Sequence, residues 1–133
     1  MTLPTPEPGT YVYPAGTAQG TLEVFTLWAF VFNYPENCTF PCNGDDLGNA
    51  TGAVGGVYNV GGHPGQGAQL TIAGRIGVGE PALAFSALES PETAEVHLAL
   101  APHGGLDPQT LPGEFRGPKG SPVCGCWWVS IFD

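Results

Sequence analysis

Residues 21–33 read TLEVFTLWAFVFN, and this stretch decides the fold class. In an extended chain its apolar side chains fall on both faces: Leu22, Val24, Trp28, Phe30 and Phe32 on one, and Phe25, Leu27, Ala29 and Val31 on the other. A strand that is apolar on both faces is typical of the centre of a sheet that is covered on each side. The run is too short to cross a membrane and lacks the basic start of a signal peptide.

Shorter runs with turn-forming residues between them extend the β pattern along the chain. We predict further strands at 56–60, 68–78, 82–88, 94–101 and 126–132, with a glycine-rich turn at 61–65. Residues 94–101 (AEVHLALA) place Glu95 and His97 on the face opposite to Val96 and Leu98. Since no long helical period occurs, we expect an all-β fold, an antiparallel β-sandwich or small barrel of about 7–8 strands, stapled by disulfides.

Composition limits the domain organisation and the partners. The first 20 residues are rich in proline and predict an extended arm, and residues 21–133 predict a single β domain. The net charge of −9, from twelve carboxylates and three basic residues, excludes nucleic acid and disfavours anionic membranes. We expect an extracellular or cell-surface protein whose signal peptide has been removed.

Four cysteines form two close pairs, Cys38-x3-Cys42 and Cys124-x-Cys126. The simplest framework joins one pair to the other, which closes loops of roughly 85 residues and contributes on the order of 4 kcal/mol for each bridge. A four-thiolate zinc site and free thiols are the alternatives. Disulfides are typical of oxidising compartments, and they support the extracellular expectation.

Metal binding has a candidate on the strand at 94–101. Glu95 and His97 are two residues apart on one face, a spacing that suits joint ligation of zinc or copper, with His63 or His103 as a third ligand. The alternative is an exposed strand face with ordinary surface or half-buried histidines. Asp45 and Asp46 predict either a loose calcium loop or a solvated loop, because the EF-hand spacing is absent.

Trp127 and Trp128 point to opposite faces of the last predicted strand. We expect one of them in the core and the other exposed, covered by the arm, or available to stack on a sugar ring. No nucleophile elbow or phosphate loop occurs, which favours a non-enzymatic role.

A family resemblance rests on residues 30–38 (FVFNYPENC), 94–97 (AEVH), 102–104 (PHG) and 113–117 (GEFRG). The chain resembles uncharacterised secreted bacterial proteins that look related to the chordin-type (CHRD) domain, whose signature is A-H-I-H followed by G-E-I-R-G. Glu95 stands in place of the first histidine of that signature. The resemblance implies an extracellular antiparallel β-sandwich with no established activity.

Together these features predict a secreted, non-enzymatic structural or binding module. We expect a homo-oligomer, assembled by the arm adding a strand to a neighbour, or a complex with another extracellular protein. A zinc- or copper-binding β-sandwich and a glycan-binding module are the alternatives.

Overall fold

A computed structural model describes residues 1–17, 22–106, 122–125 and 128–132. Within these ranges the chain forms seven β-strands: β1 (Thr2–Pro4), β2 (Glu23–Phe32), β3 (Gly55–Pro64), β4 (Gln69–Thr71), β5 (Ala84–Phe85), β6 (Glu95–Gly105) and β7 (Trp128–Phe132). Short 3-10 helices cover Pro35–Asn37 and Gly44–Asp46. No helix in the described ranges is long and apolar enough to span a membrane.

The strands form two antiparallel sheets, and the predicted all-β fold class is confirmed. A five-stranded sheet has the order β5-β3-β2-β6-β7, and β1 pairs with β4 in a two-stranded sheet. The central strand is β2, in which every residue except the half-buried Glu23 and Phe30 is buried. The apolar pattern of residues 21–33 therefore predicted its position correctly. The architecture is consistent with a small, disulfide-stapled β-sandwich.

The chain divides into two compact units. The first comprises Met1–Leu27, Val60–Gly74 and Leu100–Trp128, and the second comprises Trp28–Asn59, Arg75–Ala99 and Val129–Asp133. Buried apolar side chains of the first unit include Val24, Phe25, Leu27, Leu70, Ile72 and Leu100. Those of the second include Trp28, Ala29, Val31, Phe32, Ala53, Tyr58 and Leu88.

Strand β3 continues through residues 61–64, where the sequence predicts a turn. Just beyond its end, the Gly65 amide donates to the Glu23 carbonyl at 2.7 Å. Pairing within the first unit thus outweighs the turn propensity of the glycines, as tertiary context commonly does for strands.

The start of the proline-rich arm lies on the first unit. Strand β1 pairs antiparallel with β4, in the register Thr2↔Thr71, Leu3↔Leu70 and Pro4↔Gln69. The hydroxyls of Thr2 and Thr71 lie 2.9 Å apart on this pair. Homo-oligomer formation through the arm stays a prediction, because this pairing is within one chain.

Cys38 is bonded to Cys42, so the expected bridge between the two cysteine pairs is wrong. The turn between these residues brings their Cα atoms to 5.1 Å, inside the range that a disulfide spans. By loop-closure entropy, a ring of this size contributes about 2 kcal/mol, roughly half of what the long loops would have given. Cys124 is also disulfide-bonded, and Cys126 lies outside the described residues.

Candidate functional site

Glu95 and His97 form a buried pair on β6. Glu95 Oε1 lies 2.6 Å from His97 Nε2, and the two residues are only 2% and 9% exposed. The half-buried residues of this stretch are instead Val96 and Leu98. The alternative of an exposed strand face is therefore wrong, because the face of β6 that carries Glu95 and His97 is the more buried one.

The cover of this pair comes from the disulfide segment and from β2. The Cys42 amide donates to Glu95 Oε1 at 3.1 Å, and the Phe32 ring centroid lies 5.1 Å from that of His97. Buried charged or polar groups are tolerated where each finds a hydrogen-bond partner. Glu95 thus links β6 to the disulfide segment inside the second unit.

Of the four predicted metal ligands, Glu95 and His97 form the pair described above. His63 is exposed, with its Nδ1 2.5 Å from the Pro64 carbonyl, and His103 is buried. No group of three or more His, Cys, Asp or Glu able to hold a metal occurs in the described part of the chain. Zinc or copper binding stays a prediction that rests on two donors.

The loop predicted as a calcium site forms a capping box around the 3-10 helix Gly44–Asp46. Asp46 is buried, and its Oδ2 accepts from the Asn43 amide at 2.9 Å. Asn43 Oδ1 accepts in turn from the Asp45 amide at 2.9 Å. Such reciprocal bonds satisfy the free amides at a helix start, which gives Asp46 a structural role.

The predicted stacking residues stay untested. Trp127 lies outside the described residues, and Trp128 begins β7. Glycan binding by these two tryptophans therefore stays a prediction.

A cleft of about 140 Å³ opens in the first unit. Four residues of the segment 5–9 line it, together with Tyr11, Tyr13, Glu23, Phe25, Gly65 and Gly105. All of these residues belong to the first unit, so the cleft is formed within it. Clefts with apolar or aromatic walls and a few polar groups are the usual form of ligand sites.

Two tyrosines and one carboxyl group give the cleft its chemistry. The Tyr13 hydroxyl donates to Glu23 Oε1. The ring centroids of Tyr11 and Tyr13 lie 6.5 Å apart, with the ring planes tilted by 59°. The cleft therefore presents two aromatic rings next to a half-buried carboxyl group.

Burial raises the pKa values of two side chains in this cleft. It raises the pKa of Glu23 from 4.5 to about 7, because a charged carboxylate is poorly solvated there. Burial also raises the pKa of the Tyr11 hydroxyl, and the negative charge of Glu23 adds to that shift. Near neutral pH the cleft thus exchanges a proton with solvent at Glu23.

We expect the Glu23→Gln variant to gain stability relative to the wild type as the pH rises from 4 to 8. The folded state holds the Glu23 proton more tightly than the unfolded state, so this residue stabilises the fold fully below pH 4.5 and loses that contribution as the pH rises to about 7. Glu23 is only half buried, and allowing for solvent screening the change is on the order of 1 kcal/mol.

Urea denaturation of both proteins at pH 4 and pH 8 measures this effect. Glu7→Gln is the matched control, because Glu7 is an exposed glutamate outside the cleft. A stability difference that is the same at both pH values in Glu23→Gln would contradict the raised pKa.

The shape of the cleft depends on Gly65. A Cβ added there would lie 2.9 Å from Cε2 of the buried Phe25, so the ring would have to move. Thr5 also lines the cleft, and its hydroxyl oxygen is shielded from solvent without a hydrogen-bond partner. Such a group is rare in native proteins.

Sequence reasoning did not identify this cleft. The spacing of Tyr11 and Tyr13 places both rings on one side of an extended arm, and Glu23 is the one charged residue of β2. The tyrosine spacing and the charge of Glu23 can both be read from the sequence, but no local sequence pattern places Gly65 or Gly105 beside them.

Comparison of the chain with protein families, curated proteins and solved structures found no match. The resemblance to the chordin-type domain therefore stays a prediction.

Proposed function

We propose that this protein is an extracellular, non-enzymatic binding module that takes a small ligand into the cleft between Tyr11, Tyr13 and Glu23. The observation that carries the proposal is the combination of two aromatic rings and a carboxyl group whose pKa is raised to about 7 in one cavity. Ligand sites commonly combine such an aromatic surface with a small number of placed polar groups.

Composition and the disulfide support the extracellular part of the proposal. Only 11% of the residues are charged, and Cys38 and Cys42 are oxidised. Disulfides persist mainly in oxidising compartments. An extracellular module is also what the chordin-type resemblance implies.

Binding fits the cleft better than catalysis does. A carboxyl group with a pKa near 7 is also typical of general acids and bases. Catalysis needs in addition a nucleophile, a metal or a second acid–base group. The described lining adds the hydroxyls of Thr5, Tyr11 and Tyr13. That of Tyr13 is donated to Glu23, and that of Thr5 has no hydrogen-bond partner that could activate it as a nucleophile.

A thermal-shift screen tests the proposal. The wild type is heated with a panel of saccharides, amino acids, amines and polyols, beside the variants Gly65→Ala and Gly44→Ala. Alanine at position 65 displaces the Phe25 ring, whereas a Cβ at position 44 meets no atom within 4 Å.

We expect at least one compound to raise the melting temperature of the wild type and of Gly44→Ala, and to have a clearly smaller effect on Gly65→Ala. The proposal fails if no compound in the panel raises it, or if Gly65→Ala responds as strongly as the wild type.

Two alternatives rest on other residues. Metal binding at Glu95 and His97 predicts bound zinc or copper, which elemental analysis of protein purified without chelators measures. Glycan binding at Trp127 or Trp128 predicts a saccharide response that Gly65→Ala retains and that quenches tryptophan fluorescence.

A further inference from the structure

We propose that the ligand of the cleft is a small organic cation, an ammonium group held between the rings of Tyr11 and Tyr13 against the Glu23 carboxylate. This inference rests on the proposed function, since it names the ligand class of the same cleft.

The first argument is the missing counter-charge. Among the described residues that line the cleft none is a lysine, an arginine or a histidine, and Glu23 is the one acidic residue. Moving a carboxylate out of water without an opposite charge is unfavourable, and this cost raises its pKa. A cationic ligand supplies the opposite charge that the described part of the lining lacks.

The second argument is the placement of the rings. A cation is attracted to the face of an aromatic ring within roughly 6 Å of its centroid. The centroids of Tyr11 and Tyr13 are 6.5 Å apart and the ring planes are tilted by 59°, so a cation in the angle between the two ring faces lies within that distance of both centroids. Several aromatic rings around one cation are the basis of the aromatic cages that recognise alkylated ammonium groups.

Other ligand classes fit the lining less well. An anion would meet the Glu23 carboxylate with no basic side chain in the described lining to hold it. A calcium or magnesium ion needs six or more oxygen ligands, and Glu23 is the only carboxylate among the described residues of the lining. A neutral sugar can stack on tyrosine, but it leaves the charge of Glu23 uncompensated.

The inference includes a proton balance. In the free protein near pH 7 about half of the Glu23 carboxyl groups carry a proton, and binding of the cation releases it to solvent. Phenols ordinarily titrate near pH 10, and the pKa of Tyr11 is raised, so the Tyr11 hydroxyl stays neutral. The ionised fraction of Glu23 falls about tenfold from pH 8 to pH 6, and the affinity falls with it.

Isothermal titration calorimetry at constant ionic strength tests the inference. The probes are choline and 3,3-dimethylbutan-1-ol, in which a carbon atom replaces the charged nitrogen. The proteins are the wild type, Glu23→Gln and Glu7→Gln. Glutamine at position 23 keeps the size of the side chain and an oxygen acceptor for the Tyr13 hydroxyl. Glu7→Gln removes the same charge from an exposed position outside the cleft.

We expect choline to bind the wild type and Glu7→Gln alike, and to bind Glu23→Gln at least tenfold more weakly. The neutral analogue should bind none of the three measurably. The affinity of the wild type for choline should fall about tenfold from pH 8 to pH 6, as the ionised fraction of Glu23 does. Unfolding curves of the three proteins establish that each is folded during the titration.

Equal binding of choline and its neutral analogue would overturn the inference, as would unchanged choline binding to Glu23→Gln. A second outcome is that choline does not bind, but a neutral compound raises the melting temperature of the wild type and not that of Gly65→Ala. In that case the proposed ligand class is wrong and the proposed binding function stands. If neither choline nor any compound in the panel binds, both proposals fail.

Discussion

Replacing Asn33 by alanine is expected to lower the free energy of unfolding by about 3 kcal/mol, because three partly buried hydrogen bonds to backbone groups would be lost. Asn33 is only 1% exposed. Its Nδ2 donates to the carbonyls of Val54 and Ala87, each at 2.8 Å, and its Oδ1 accepts from the Glu89 amide at 2.9 Å. One side chain thus joins two segments of the second unit, at residues 54 and 87–89, to the end of β2.

Urea denaturation monitored by circular dichroism measures this loss. Asn37→Ala is the matched control, because the exposed Asn37 makes one bond of the same type, from Nδ2 to the Gly52 carbonyl at 3.0 Å. We expect the control to lose less than about 1 kcal/mol. Asn33→Asp should also be destabilised, because a carboxylate accepts from Glu89 but donates to neither carbonyl. A loss in Asn33→Ala no larger than in the control would contradict the proposed linkage.

Gly56→Ala is the second large effect, with an expected loss of about 3 kcal/mol or more. A Cβ at position 56 would lie 1.9 Å from the Ser86 carbonyl oxygen, and backbone cannot move aside as the end of a flexible side chain can. Gly56 pairs with Phe85 where β3 meets β5, and the adjacent Ser86 amide donates to the Gly55 carbonyl at 3.0 Å. Making room for the methyl group would separate these two strands.

The same denaturation experiment tests this prediction, with Gly44→Ala as the control. Gly44 has open space around its Cα and no positive φ, so alanine there should change the stability by less than about 0.5 kcal/mol. A Gly56→Ala protein as stable as the control would show that β5 does not pack against β3 as described.

The sequence predicted the parts of the fold that depend on local pattern. Strand β2 was visible because apolar residues occupy both of its faces over ten positions, the pattern of a strand that is covered on each side. The same reasoning misjudged β6, since the polarity of Glu95 and His97 indicated an exposed face. Their burial depends on each other and on the Cys42 amide, a contact across 53 residues that no local pattern reveals.

Long-range contacts also explain why the candidate site escaped sequence reasoning. The cleft joins the proline-rich segment, the start of β2 and the ends of two other strands, and only the folded chain brings them together. The disulfide pairing could not be predicted from the sequence either, because four cysteines allow three connectivities and sequence alone does not select one.

The short ring closed by Cys38 and Cys42 has a consequence for how the chain folds. A bridge over a separation of four residues forms without bringing distant segments together, and it guides no strand to its partner. The pairing of Thr2 with Thr71 must be found by diffusion of the open chain, with the full entropy of closing that loop. The contact order of the molecule is therefore not reduced by this covalent link, and its folding rate is governed by the search for strand partners.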